Sequence, residues 1–166
     1  MWRAENFKIE EFISEGDLRY LERVGWDFVI KENIHKLAVL LQKIRVPQKV
    51  IYITSGYRNR LKNEKVGGAK NSLHLWGMAC DFIASEINVD ELYKLYINEQ
   101  IGEFIVYTKQ SDRKYIRYHL SLPCYELEKV GVLMKAEEGV KNYERVDFDE
   151  IVRTILRVKN AVGVGV

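Results

Sequence analysis

Along the first half of the chain, apolar positions alternate between helical spacing and short β-type runs. Residues 17–24 carry a brief helical pattern. A longer one covers roughly 32–45, where Ile34, Leu37, Ala38, Leu41 and Ile44 recur at i, i+3 and i+4 spacing until Pro47 stops it. "KVIYIT" (49–54) is β-branched and aromatic and reads as a strand, and "ACDFIA" (79–84) as a second. Between them, 55–73 is polar and holds three glycines, which predicts a long loop with one helical turn near 60–65. Asn88, with Glu91 three residues on, starts a helix whose buried face is Leu92, Leu95 and Tyr96. "EFIVYT" (103–108), "KYIRYHLSL" (114–122) and "KVGVLM" (129–134) read as three more strands. Phe148, Ile151, Val152, Ile155 and Val158 return to a helical period.

Helices come first and strands then follow in succession. That order predicts an α+β fold, an antiparallel sheet flanked by helices, in one domain over 1–134. Residues 135–166 form a C-terminal tail whose helix packs on the domain or on a partner.

Composition narrows the function. The chain has 166 residues, 47% hydrophobic and 30% charged, with 2 prolines, which suits an ordinary globular domain. Its 26 basic and 24 acidic residues are interleaved, so no basic face for nucleic acid is expected. No apolar run approaches the ~20 residues that span a bilayer, and "MWRAENFKIEEF" has acids where a secretory signal would be apolar. The expectation is a protein made in the cytoplasm that stays there unless another route releases it. Cys80 and Cys124 form no CxxC and are expected as free thiols.

Three histidines are present. His35 sits in the first long helical pattern beside Ile34 and Leu37, with no acid or cysteine at ligand spacing, and reads as a partly exposed helix histidine. His74 and Asp81 are seven positions apart, with Gly77 between them to permit a bend. Strand alternation puts Tyr115, Arg117, His119 and Ser121 on one face, opposite Ile116, Tyr118 and Leu120. If the second and fourth strands are neighbours, His74, Asp81 and His119 converge. Two imidazoles and one carboxylate leave a tetrahedral zinc with one open position, the arrangement of catalytic sites. Packed core histidines and a turn aspartate are the other reading of the same residues.

The segment "ITSGYRNRLKNEKVGGAKNSLHLWGMACDF" adds fixed offsets among unrelated residue types. These are Ser55-Gly56-Tyr57-Arg58, then Val66-Gly67-Gly68-Ala69, then Ser72-x-His74-x-x-Gly77-x-Ala79-x-Asp81. In this order, with His119 in a later strand, the chain resembles the zinc D-Ala-D-Ala carboxypeptidases. That metallopeptidase group also includes D-Ala-D-Ala dipeptidases, phage endolysins and the hedgehog signalling domain. The resemblance covers about residues 5–122.

It implies one Zn2+ held by His74, Asp81 and His119, and a peptidoglycan-derived peptide containing D-residues as substrate. It implies that Arg58 donates to the scissile carbonyl or to a substrate carboxylate, a task suited to a permanently charged planar fork. Ser72 orients substrate or a ligand, or simply caps the loop. Tyr57 lines the pocket, or packs. A phage-type lytic protein or a handler of imported wall fragments fits the missing export segment.

One element departs from that pattern. Relatives carry a carboxylate three residues before the third histidine or two after it, to take a proton from the attacking water. Here those positions are Ile116 and Ser121. A substitute would have to come from Glu103, Asp112 or another acid brought in by folding. The departure keeps a second reading open, a zinc-binding module of the same fold without hydrolysis.

Overall fold

A computed structural model describes residues 4–108, 115–137 and 139–161. Among these residues five α-helices and six strands occur in the order α1 (Glu15–Val24), α2 (Asp27–Ile44), β1 (Ile51–Ser55), α3 (Arg60–Lys65), β2 (Ala79–Ala84), α4 (Val89–Ile97), β3 (Glu103–Tyr107), β4 (Ile116–Ser121), β5 (Val132–Ala136), β6 (Tyr143–Arg145) and α5 (Phe148–Ala161). The strands make one sheet in the order β1-β2-β4-β3-β5-β6.

Helix limits follow local chemistry. The Ser14 hydroxyl accepts from Asp17 N–H at the start of α1, and Gly25 ends it in the left-handed region at φ 75°. Asn88 likewise accepts from Glu91 N–H at 3.1 Å to open α4. Helix α2 begins five residues before its apolar period suggests. Phe28 and Val29 there are 74% and 41% exposed and only Ile30 of the first turn is buried, so the apolar residues at its start do not follow the helical period. An Asp27–Lys31 pair at 3.1 Å supports that turn instead.

All sheet pairs are antiparallel except β3–β5, which is parallel. The sequence order predicts an antiparallel sheet, and this one pair departs from it. Strand β4 leaves the sheet at the end where β3 begins, and the chain passes over that end to β3's free edge. A strand laid there must run with β3. Strand β6 carries only exposed side chains, Tyr143, Glu144 and Arg145, so no alternation marks it in the sequence. The boundary anticipated at 134 falls inside β5, and Ile151, Ile155 and Val158 of α5 join the same core as the rest of the chain.

The two faces of the sheet differ sharply. Phe82, Phe104 and Tyr118 form an aromatic layer, Phe82 stacked on Tyr118 with ring centres 5.1 Å apart. This layer belongs to the core that also holds Ile34, Leu37 and Leu41 of α2 and Leu92 of α4. Each apolar side chain of this size gives about 1.5–3 kcal/mol on burial. The alternate positions, Asp81, Glu103, Ile105, Tyr107 and His119, face the other way and line a cleft. Core and site are therefore opposite faces of the same three central strands. Among the described residues no helix is long and apolar enough to cross a membrane.

Candidate metal centre

The site begins where β1 gives way to the SGYR loop. Ser55 lies opposite Asp81 in the β1–β2 ladder, after an irregularity between Ile53 and Ser55. Gly56 then passes against the turn at Phe12, so closely that a Cβ on it would sit 2.2 Å from the Phe12 carbonyl oxygen. Only glycine fits there. The next amide, Tyr57 N–H, donates to that same oxygen at 2.7 Å.

This approach fixes His74. Its Nδ1 is 2.7 Å from the Gly56 carbonyl oxygen, which can only accept, so Nδ1 carries the proton and Nε2 keeps its lone pair. The backbone is tied as well, Arg58 N–H donating to the His74 carbonyl at 3.0 Å. His74 belongs to a 3-10 turn, Leu73–Trp76, which Ser72 Oγ caps by accepting His74 N–H at 3.4 Å. Gly77 closes the turn at φ 64° and sends the chain into β2.

Asp81 and His119 meet because β2 and β4 pair in a register that sets them directly opposite each other. Asp81 Oδ1 is 2.7 Å from His119 Nδ1, and its Oδ2 is 3.4 Å from His74 Nε2. The two imidazole centres are 5.3 Å apart. One ligand atom from each of the three residues lies within 4.8 Å of the others. His74 and His119 are 3% and 8% exposed, so both imidazoles are withdrawn from bulk water.

Electrostatics suit a cation. Burial lowers the His74 pKa, favouring the neutral, ligating form. Burial of Asp81 works against its charge, yet His119 and His74 hold its carboxyl well below the usual range. Burial likewise opposes charge on His119, but Asp81 and Glu103 raise it to about 9. Two nitrogens from buried imidazoles and one oxygen from a half-buried carboxylate, turned toward one point, are a donor set that fits zinc.

Around this cluster lies a cleft of about 720 Å³ whose lining includes Arg58, Ser72, Glu103, Tyr107, Lys141 and Tyr143. Arg58 Nε donates to Ser55 Oγ at 2.9 Å and an Nη atom to Asp81 Oδ2 at 2.5 Å, placing the guanidinium beside the His74–Asp81–His119 cluster. Tyr57 is elsewhere: it is 8% exposed, belongs to the hydrophobic core and is absent from the cleft lining. His35 is half-buried on α2. Cys80 is buried, Cys124 half-buried, and both are free.

Neither of the two positions where relatives carry the base lines the cleft. Ile116 is fully buried in the core, and the fully buried Ser121 hydroxyl accepts Glu103 N–H at 2.8 Å. Asp112 lies outside the described residues. Besides Asp81, Glu103 is the one carboxylate lining the cleft among the described residues.

Two groups no motif pointed to hold the glycine loop at the cleft, and Lys141 lines the cleft itself. Lys141, from the segment before β6, donates to the Gly67 carbonyl at 2.7 Å across 74 positions of sequence. Asn63 is buried and donates to the Ala69 carbonyl at 2.9 Å, holding the glycine loop in place.

The Gly56 contact gives a direct test. Gly56→Ala is expected to cost about 1–3 kcal/mol through overpacking, lowering the thermal midpoint by roughly 2–4 °C per kcal/mol. Zinc binding should weaken along with it, because the displaced carbonyl is the one that orients His74. Calorimetry of the metal-free protein and a zinc titration measure the two effects separately.

No curated protein matches the chain. The Peptidase M15 family model matches residues 6–116, from the turn before Phe7 to the first residue of β4. The match takes in Arg58, His74, Asp81 and Glu103 and stops three residues short of His119, which the sheet register supplies. The chain belongs to the Peptidase M15 family.

Proposed function

We propose that the protein is a zinc-dependent peptidase that hydrolyses peptide bonds in peptidoglycan-type peptides containing D-amino acids. The observation that carries this reading is the meeting of His74 Nε2, Asp81 and His119 Nδ1 at one buried point on the floor of an open cleft. A zinc ion held there would supply Lewis acidity and an activated water.

The chain's own groups do the rest. Gly56 fixes the His74 tautomer, so the ligating nitrogen is free before metal arrives. Arg58 stands beside the cluster with a rigid donor fork, suited to an oxygen that gains negative charge in the transition state. Ser72 lines the cleft and offers a hydroxyl near the bound peptide, while capping the His74 turn. The cations Lys70 and Lys141 line the cleft as well, which suits a peptide bearing free carboxylates.

A second reading is a metal-binding module without hydrolysis. Its support is the state of Glu103, whose Oε2 is 3.1 Å from Lys129 Nζ. That carboxylate is engaged, and no other acid besides Asp81 lines the cleft among the described residues.

One experiment separates the readings. Purified protein loaded with one equivalent of zinc is incubated with muropeptides carrying D-Ala termini and cross-links, and products are followed by mass spectrometry. Cleavage that stops with a chelator and returns with zinc is the expected result. Stoichiometric zinc with no cleavage of any such peptide would reject the peptidase reading and leave the module.

A further inference from the structure

We propose that Glu103 is a positioning residue for His119, gripping its outer ring nitrogen so that the inner one points at the metal site. The inference rests on the zinc-site reading above and deepens it. His119 turns Nδ1 toward Asp81, which leaves Nε2 facing away from the cluster. That Nε2 atom is buried and has no hydrogen-bond partner. A buried ring N–H left without an acceptor costs about 1–3 kcal/mol. Glu103 Oε2 is 3.8 Å away, inside ion-pair range and beyond hydrogen-bond distance, and is the acid facing that atom.

The surroundings aim Glu103 at this task. Ile105 is the direct cross-strand partner of His119, so Glu103 is its diagonal neighbour on the same face. The Ser121 hydroxyl fixes Glu103's backbone at 2.8 Å, and Gly102 lets the two strands close up there. A Cβ on Gly102 would lie 2.2 Å from the Leu122 carbonyl oxygen. Lys129 Nζ lies 3.1 Å from that same Oε2 and balances its charge. Ser121, silent as a base, is thus the peg that sets Glu103's position.

A carboxylate on the outer nitrogen of a ligating histidine fixes the ring and raises its basicity, and losing one typically costs 10–100-fold in metal affinity. This role differs from proton transfer. The carboxylate meets the ring at the nitrogen turned away from Asp81, so it acts through His119 rather than on substrate.

The test is a zinc affinity measured by competition with a chromophoric chelator on the full chain, for the wild type, Glu103→Ala and Glu103→Gln. Glu103→Ala is expected to bind zinc roughly 10–100-fold more weakly. Glu103→Gln should fall in between, because its amide oxygen still accepts from Nε2–H but carries no charge. The absorption bands of the cobalt-substituted protein should shift in both variants, reporting a reoriented imidazole. Thermal unfolding of the metal-free proteins checks that each variant folds, and Glu103→Gln decides the matter if Glu103→Ala does not. Unchanged zinc affinity and cobalt bands in the variants, beside tight wild-type binding, would overturn this proposal and leave the zinc site standing. A wild type that takes up no zinc would overturn the site and this proposal together.

Discussion

His74→Ala is expected to lose both zinc and peptide cleavage, while His35→Ala keeps them. His74 supplies one of only two imidazole nitrogens in the cluster, and its ring is held by the Gly56 carbonyl rather than by a flexible partner. Alanine removes the ligand and leaves that carbonyl without its donor, a cost of about 1–3 kcal/mol to the fold. The variant should therefore fold with a lowered midpoint but respond differently to metal. Zinc at one hundred times its dissociation constant stabilises a binding-competent protein by about 2.7 kcal/mol. The wild type should show that rise in midpoint and the variant none. Elemental analysis after dialysis should find one zinc per chain in the wild type and background in the variant. A variant that retains zinc and cleaves at the wild-type rate would remove His74 from the site.

Much of this arrangement was legible in the sequence. Helix α4 was marked by Asn88 and Glu91, and β2 by the composition of ACDFIA, because their determinants lie within a few positions of each other. His74 and Asp81 could be paired because Gly77 signals the bend between them. Other features depend on contacts that no local pattern encodes. Strand alternation put His119 on a face, but only the β2–β4 register sets it opposite Asp81. Which ring nitrogen each histidine turns inward follows from Gly56 and Asp81, residues distant along the chain. Strand β6 is short, polar and fully exposed, so its place in the sheet comes from backbone pairing with β5 alone.

The expected departure at Ile116 and Ser121 also takes on a physical meaning. Ile116 lies on the core face of β4, where a carboxylate would be buried without a partner. Ser121 lies on the site face, but its hydroxyl is spent on the Glu103 amide. The sequence showed two missing acids. The folded chain shows that one position could not hold an acid and the other now holds a strand in place.

Arg58→Ala is expected to lower kcat about 100–1,000-fold, equivalent to roughly 2.7–4 kcal/mol of lost transition-state stabilisation, without weakening zinc. The two effects separate because of where the guanidinium sits. It lies against Asp81 Oδ2, on the rim of the ligand cluster, with Nε anchored on Ser55. A fixed positive charge there favours an oxygen that becomes negative as the bond breaks, but it repels a divalent cation held by the same carboxylate. Removing it should therefore leave the zinc dissociation constant unchanged or tighter while the chemical step slows. Arg58→Lys should recover little, since a single ammonium cannot hold Ser55 and present a planar fork to the cleft at once. Steady-state kinetics on a muropeptide, beside chelator competition for zinc, measure both quantities on the same preparation. Loss of zinc together with activity would instead make Arg58 a support for Asp81, and an unchanged kcat would remove it from the chemistry.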